Sequence, residues 1–338
     1  MKVVITGGAG YIGSVATHRL VAAGADVLVV DNLSQGHLAS LPEAAQFAAL
    51  DITDRDGLAR VLRGFRPDAV LHFAALTIAP ESVRDPAPYW RTNTFGTLTL
   101  LDAMRDADVP RLVLSSTAAV YGTPSVIPVP ESAELAPINP YGATKLAAER
   151  AVASYAAAYD LRYAALRYFN VAGAVGEIGE DHRPETHLIP NVIDAAAGRR
   201  EELSVFGTDF PTSDGTAIRD YVHVEDLIEA HVLALAYLRE HRKSLGALNL
   251  GTRDGASVRE VIEAVERVTG LAVPRVYADR RPGDPAVLIA DSSRAREVLG
   301  WEPKRSALEE MVASAWAWRQ RFPDGYRDVS TPATAITG

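Results

Sequence analysis

The 338-residue chain contains no cysteine, which excludes disulfide bonds, thiolate metal ligands and a cysteine nucleophile. No apolar run approaches the roughly 20 residues that would span a bilayer, and the opening residues read as a core strand rather than a secretory signal. Positive charge is outnumbered: 34 lysines and arginines face 43 aspartates and glutamates, for a formal net charge of −9. Without a basic cluster, neither nucleic acid nor an anionic membrane is an expected partner. Low-complexity tracts and internal repeats are also missing. The expectation is a soluble, cytoplasmic globular protein with no metal site.

What is present begins at once. Val3-Val4-Ile5 reads as a fully buried parallel strand, and it stops at glycines that open a helical pattern from Tyr11 to about Ala23. Both Gly8-x-Gly10-x-x-Gly13 and Gly7-x-x-Gly10-x-x-Gly13 fit the stretch. Glycine lets the backbone turn sharply and approach a pyrophosphate, whose charge meets the free N–H groups of the helix terminus. A second apolar run, Val27 to Val30, ends in Asp31-Asn32, 18 positions past Gly13. An acid there accepts the hydroxyls of an adenosine ribose and repels a 2′-phosphate, so NAD is expected rather than NADP.

Up to about residue 170 the pattern alternates. Strand candidates fall at 2–6, 26–30, 46–49, 69–73, 111–115 and 162–168, with helical periodicity at 11–23, 55–65, 89–107 and 141–159. Alternation predicts an α/β fold, a Rossmann-type doubly wound parallel sheet, whose ligands sit beyond the carboxyl ends of the strands. Chemistry-bearing residues lie there: Asp51, Phe73-Ala74-Ala75, Ser115-Ser116-Thr117 and Tyr168-Phe169-Asn170. After Asn170 the rhythm breaks into shorter elements near 187–198, 203–206, 224–240, 247–250, 257–269 and 306–321. These suggest a cofactor domain over 1–170, a smaller C-terminal substrate-binding lobe over 171–322 and a flexible tail over 323–338.

Tyr141 and Lys145 are four apart at the start of a helical pattern and share one face. A neighbouring ammonium favours phenolate, which would lower the tyrosine pKa toward the working range and let it take a proton from an alcohol. Thr117, at the end of the strand that starts at Arg111, offers a hydroxyl to the same oxygen. An isolated Tyr-x-x-x-Lys is usually a surface pair; here it sits within a dinucleotide pattern.

Together, Gly7 to Gly13, Asp31-Asn32, Phe73-Ala74-Ala75, Asn93, Ser115 to Thr117, Tyr121-Gly122, Tyr141 to Lys145 and Arg167 to Asn170 resemble the extended short-chain dehydrogenase/reductase family. The likeness runs from residue 1 to about 320 and is nearest to the branch that inverts C4 of UDP-hexoses. It implies NAD contacts from Gly7, Gly10, Tyr11, Ile12 and Gly13, from Asp31, Asn32, Leu33, Ser34 and Gly36, and from Asp51 and Ile52. Further contacts are implied for Phe73, Ala74, Ala75, Thr77, Asn93, Ser115, Tyr141, Lys145, Tyr168 and Phe169. Thr77 stands where a lysine is sometimes found.

For the substrate, the resemblance implies a UDP-sugar. Ser204, Val205 and Phe206 would hold the uracil, Arg219 and Arg281 the diphosphate, and Asp284 a ribose hydroxyl. Asn170 would touch the diphosphate or sugar, and His187-Leu188 stands where Asn-Leu is common. Leu288 falls where room for an acetamido group is set. Tyr141, Lys145 and Thr117 would be catalytic, through transient oxidation to a 4-keto sugar. A homodimer through a four-helix contact is implied as well.

Alternatives remain. Epimerisation of UDP-N-acetylhexosamines or UDP-pentoses would use the same site. A dehydratase needs an added acid and base, and Ala118-Ala119 supplies neither; a reductase consuming NADPH is disfavoured by Asp31. A non-catalytic NAD sensor would carry a damaged tyrosine, lysine or hydroxyl, and all three are intact.

Overall fold

A computed structural model describes residues 1–281, 284–305 and 307–327. Its first half runs β1 (Lys2–Thr6), α1 (Tyr11–Ala22), β2 (Asp26–Asp31), β3 (Gln46–Ala49), α2 (Arg55–Phe65), β4 (Ala69–His72), α3 (Ala79–Arg84), α4 (Pro86–Tyr89), a π-helical turn over Trp90–Phe95, α5 (Gly96–Asp106), β5 (Arg111–Thr117), α6 (Pro140–Ala158) and β6 (Arg162–Tyr168). The second half comprises β7 (Asn170–Ala172), α7 (Leu188–Ala196), β8 (Leu203–Phe206), β9 (Ile218–Arg219), β10 (Tyr221–His223), α8 (Val224–Glu240), β11 (Gly246–Leu250), β12 (Ala256–Ser257), α9 (Val258–Thr269), β13 (Arg275–Ala278), β14 (Val287–Leu288), α10 (Ser293–Leu299) and α11 (Leu308–Arg321).

The main sheet has the order β11-β6-β5-β4-β1-β2-β3, and every pairing in it is parallel. Side-chain alternation explains why the strands carry unbroken apolar runs. Val3 and Ile5 face a core shared with α1 and α8, while Val4 faces a second core shared with α2 and α5. All three are fully buried, each worth about 1.5–3 kcal/mol of transfer free energy. The chain order reverses between β1 and β4, and such a switch point opens a crevice at the carboxyl edge.

The second half contributes α8 and β11 to this body and builds a third core from α7, α9, α11 and β8. Three small sheets tie the lobe together: β10-β7, β12-β9-β14 and β13-β8. Helix α9 starts at a capping box, Ser257 with Glu260, which satisfies two orphan donors at once. The tail expected from Pro323 is held further than anticipated: Tyr326 is buried, donates its N–H to Asp181 at 2.9 Å and accepts from the N–H of Gly179 at 3.1 Å. Aromatic packing on Trp318 accounts for this anchorage. Residues 328–338 lie outside the described residues, as do Pro282 and Gly283. Among the described residues, no helix is long and apolar enough to cross a membrane.

Candidate active site

At the head of β1, Gly7 takes φ +70° and its N–H donates to the carbonyl of Val30. A Cβ on Gly13 would lie 2.1 Å from the carbonyl oxygen of Gly7, and one on Gly7 would lie 2.5 Å from the nitrogen of Ala74. No side chain could occupy either place without moving backbone. Helix α1 starts with no side-chain cap and no acid in its first turn, so its orphan N–H groups and positive dipole end are left for an anion. Asp31 is buried and accepts from the N–H groups of Ala9 (3.0 Å) and Leu33 (2.8 Å), one on each oxygen. Each oxygen keeps a lone pair for a ribose hydroxyl. Gly36 packs so closely on Ala9 that a Cβ would lie 2.9 Å away, and Asn32 donates to Asp51 at 2.7 Å while accepting from Ser34. This cradle fits a dinucleotide on its own geometry.

Other expected cofactor residues have structural duties. The Tyr11 hydroxyl donates to the carbonyl of Gly173, tethering the loop to the second lobe. Ile12 packs on the core beside α1, and Ile52 is buried beneath the third strand's end. Asn93 braces the segment after β4, accepting from Leu76 N–H at 2.8 Å and donating to Leu76 carbonyl and Thr144. Phe73 and Tyr168 pack near one another around His231. Thr77 is exposed in the irregular stretch before α3.

Beyond the end of β5, Tyr141 shares a hydrogen bond with Thr117, and the Thr117 oxygen also accepts from Ala119 N–H. Asn139 caps α6 and Pro140 opens it, so Tyr141 and Lys145 point inward from the first two turns. Burial pushes the Tyr141 phenol up, and Thr117 pulls it part of the way back. The lowering expected from Lys145 is therefore not what the structure shows, because desolvation of the phenolate dominates. Lys145 is itself buried and pulled down to about 8, with Glu149 opposing the fall. Ser115 hydrogen-bonds the hydroxyl of Tyr168.

Sequence reasoning passed over the support behind this pair. Glu149, one helical turn past Lys145, accepts from Ser116 and from Arg167 in a two-pronged contact with Nε at 2.9 Å. Arg167 also donates to Tyr121, which donates to Asn249. The spacing Tyr141, Lys145, Glu149 was the available signal. His72 sits between Thr6 (2.6 Å) and Thr97 (3.0 Å), and burial with Lys145 nearby pulls it down to about 3, so it is neutral.

The lobe contributes its own set. Arg219 and Asp284 form an ion pair, and the Arg281 guanidinium lies 3.9 Å from the ring centroid of Phe206. Asp220, next to Arg219 in the chain, is fully buried and takes backbone N–H groups of Thr252, Arg253 and Ala290. On β8, Ser204 is exposed, Phe206 half-buried and Val205 turned into the core, which leaves Val205 only its backbone for a ligand. Asn170 bonds Tyr221 through its side chain. Leu288 pairs in register with Arg219 and packs with Phe169 against Ala118, Tyr121 and Leu146. Leu188 packs on the lobe core, and Nδ1 of the His187 ring that precedes it lies 2.7 Å from Glu180 and 3.1 Å from Glu185.

Fold and site together define an α/β protein that binds a dinucleotide at the carboxyl edge of a parallel sheet and holds a proton-transfer group beside it. Residues 3–251 match the NAD dependent epimerase/dehydratase family, and the chain belongs to that family. It is 49% identical to the UDP-glucose 4-epimerase of Lactobacillus helveticus, over 97% of this chain and 100% of that one. Among solved structures it is similar to the UDP-glucose 4-epimerase of Brucella ovis in complex with NAD, with a TM-score of 0.91, 47% identity and coverage of 94% and 97%. The enzyme of Bifidobacterium longum in complex with NAD+ and UDP gives a TM-score of 0.91 at 36% identity, covering 96% of this chain and 100% of that one.

Proposed function

We propose that the chain catalyses reversible epimerisation at C4 of a UDP-hexose, interconverting UDP-glucose and UDP-galactose with NAD held throughout. The observation that carries this reading is the hydrogen bond between buried Thr117 and half-buried Tyr141, beside buried Lys145, at the carboxyl edge of the sheet. NAD, when bound, supplies a hydride acceptor and donor and a positive charge that favours phenolate. Gly7, Gly10, Gly13 and Asp31 would hold it, with Lys145, Ser115, Tyr168 and Phe169 toward its reactive end.

In the first step Tyr141 takes the proton of the 4-hydroxyl while Thr117 holds the same oxygen. The 4-keto sugar then turns about its link to UDP, and Tyr141 returns the proton after the other face has been presented. Turning requires firm binding of UDP and loose binding of the hexose. Arg219, Arg281, Asp284 and Ser204 to Phe206 suit the firm end, since a guanidinium fork binds phosphate oxygens bidentately. Asn170 and Leu188 line the approach, and Leu288 sets its width.

Ala118 and Ala119 form the turn after β5 and offer no acid or base for elimination of water. Exposed Trp90, Phe95 and Tyr159 on the α5 and α6 side support a homodimer through these helices, and a cytoplasmic location goes with the reading. The test is to incubate purified protein with UDP-galactose, UDP-N-acetylgalactosamine and UDP-pentoses without added cofactor. C4 epimers should form with no accumulation of NADH; stoichiometric NADH release would sink the proposal.

A further inference from the structure

The segment joining β7 to α7 brings Glu180, His182, Glu185 and His187 together, with one ligand atom from each lying within 4.8 Å of all the others. Both rings turn Nδ1 inward. His187 Nδ1 lies 2.7 Å from Glu180 and 3.1 Å from Glu185, and His182 Nδ1 lies 3.1 Å from Glu180 and 3.9 Å from Glu185. The two glutamate side chains are only 8% and 11% exposed. Nothing in the reaction above uses these groups, and no metal site was expected from the sequence.

The chemistry of the four donors fits an ion. Without one, the two rings close on the carboxylates as hydrogen-bonded pairs, with His182 Nδ1 on Glu180 and His187 Nδ1 on Glu180 and Glu185. One divalent cation could take the place of the two ring protons, balance both carboxylates and accept a lone pair from each of the four side chains. We infer that Glu180, His182, Glu185 and His187 form a structural zinc site.

The donor set selects the ion. Magnesium and calcium prefer oxygen ligands throughout, whereas two imidazoles with two carboxylates suit zinc in four-coordinate geometry. Ligands about 2.1 Å from zinc lie about 3.4 Å from one another, so separations that run up to 4.8 Å need side-chain adjustments of up to about 1.4 Å. Outer support is in place: the Glu185 oxygen nearest His187 also accepts the N–H groups of Thr186 (2.7 Å) and His187 (2.8 Å), which fixes the carboxylate as an outer shell fixes a ligand. A small cleft of about 20 Å³, lined by Glu180, Gly173, Ile189, Trp318 and Arg319, adjoins the cluster at Glu180.

The site would clip a loop with two attachments. Asp181, within it, faces His37 on the cofactor side and Tyr326 near the chain end, and His187 is the residue from which α7 starts. Zinc would hold the entry to α7 in place rather than take part in proton transfer.

Metal content tests this independently of turnover, so its failure and that of the proposed reaction can be told apart. Protein purified without a polyhistidine tag is soaked with zinc, dialysed into metal-free buffer and analysed by elemental mass spectrometry. The wild type should retain about one zinc per chain and melt roughly 3 °C or more above its chelator-treated form, while His182→Ala and Glu185→Gln should lose most of the metal. Cobalt loading of the wild type should give the visible absorption of a tetrahedral site, a readout that needs no variant to fold. Less than about a tenth of an equivalent of zinc in the wild type, zinc in His182→Ala equal to wild type, or a cobalt spectrum typical of six-coordinate ions would each overturn the inference.

Discussion

On the cofactor side, the candidate contacts are backbone geometry and side chains whose hydrogen bonds are already made. Gly7 and Gly13 leave no room for a Cβ, and Asp31 is fixed by Ala9 and Leu33. On the UDP side the candidates are long and chargeable. Arg219 is paired with Asp284, Arg281 lies exposed over Phe206, and Ser204 faces solvent. A preorganised cradle suits a group that stays bound through every cycle, whereas guanidinium forks that exchange one partner for another suit a group that must leave. Between them, half-buried Tyr141 and buried Lys145 rest on the Glu149–Arg167 network and belong mechanically to the cofactor side.

Tyr141→Phe should remove the proton carrier and lower kcat by about 10²–10⁴-fold, while NAD retained after purification stays at the wild-type level by absorbance. Loss of NAD along with turnover would show that Tyr141 belongs to the cradle instead. Gly13→Ala should break the cradle itself. Its Cβ meets the Gly7 carbonyl at 2.1 Å, an overpacking worth about 1–3 kcal/mol, so the variant should purify with little NAD and regain activity when NAD is added.

Arg219→Ala should act on the other side alone. Losing charge-assisted hydrogen bonds to phosphate, worth about 1.5–3 kcal/mol, raises KM for the UDP-sugar by roughly 10- to 100-fold with NAD content unchanged. The smallest effect is on pH dependence. Lys145 sits at about 8 because burial lowers it and Glu149 partly restores it, so kcat/KM should fall as pH rises through that value and the ammonium is lost. Glu149→Gln removes the restoring charge and should shift that limb to lower pH; a shift upward would contradict the assignment.

The same contrast governs what could be read in advance. Strands β1, β2 and β5 and helices α1, α2 and α6 were legible because burial on both faces forces unbroken apolar runs and because glycines mark the turns. The small strands β7, β9, β10, β12 and β14 span only two or three residues, too short for any period to register, and they are held by partners distant in sequence. Helix α10, with seven residues, escaped for the same reason. Tyr141, Lys145 and Thr117 could be found from spacing and strand ends. Desolvation of Tyr141 could not, since it depends on what the fold packs around the phenol. The partners of the His187 ring were not legible, because Glu180 and Glu185 reach it only through the loop's own folding.

The central claim is that one substrate carbon loses and regains its hydride between two anchors without exchange. Turnover of UDP-galactose deuterated at C4, mixed with unlabelled UDP-galactose bearing a ¹³C-labelled hexose, measures this directly by mass spectrometry. The account predicts UDP-glucose with deuterium retained at C4 and confined to the molecules that began with it. Deuterium lost to water, or transferred into the ¹³C-labelled pool, would contradict it.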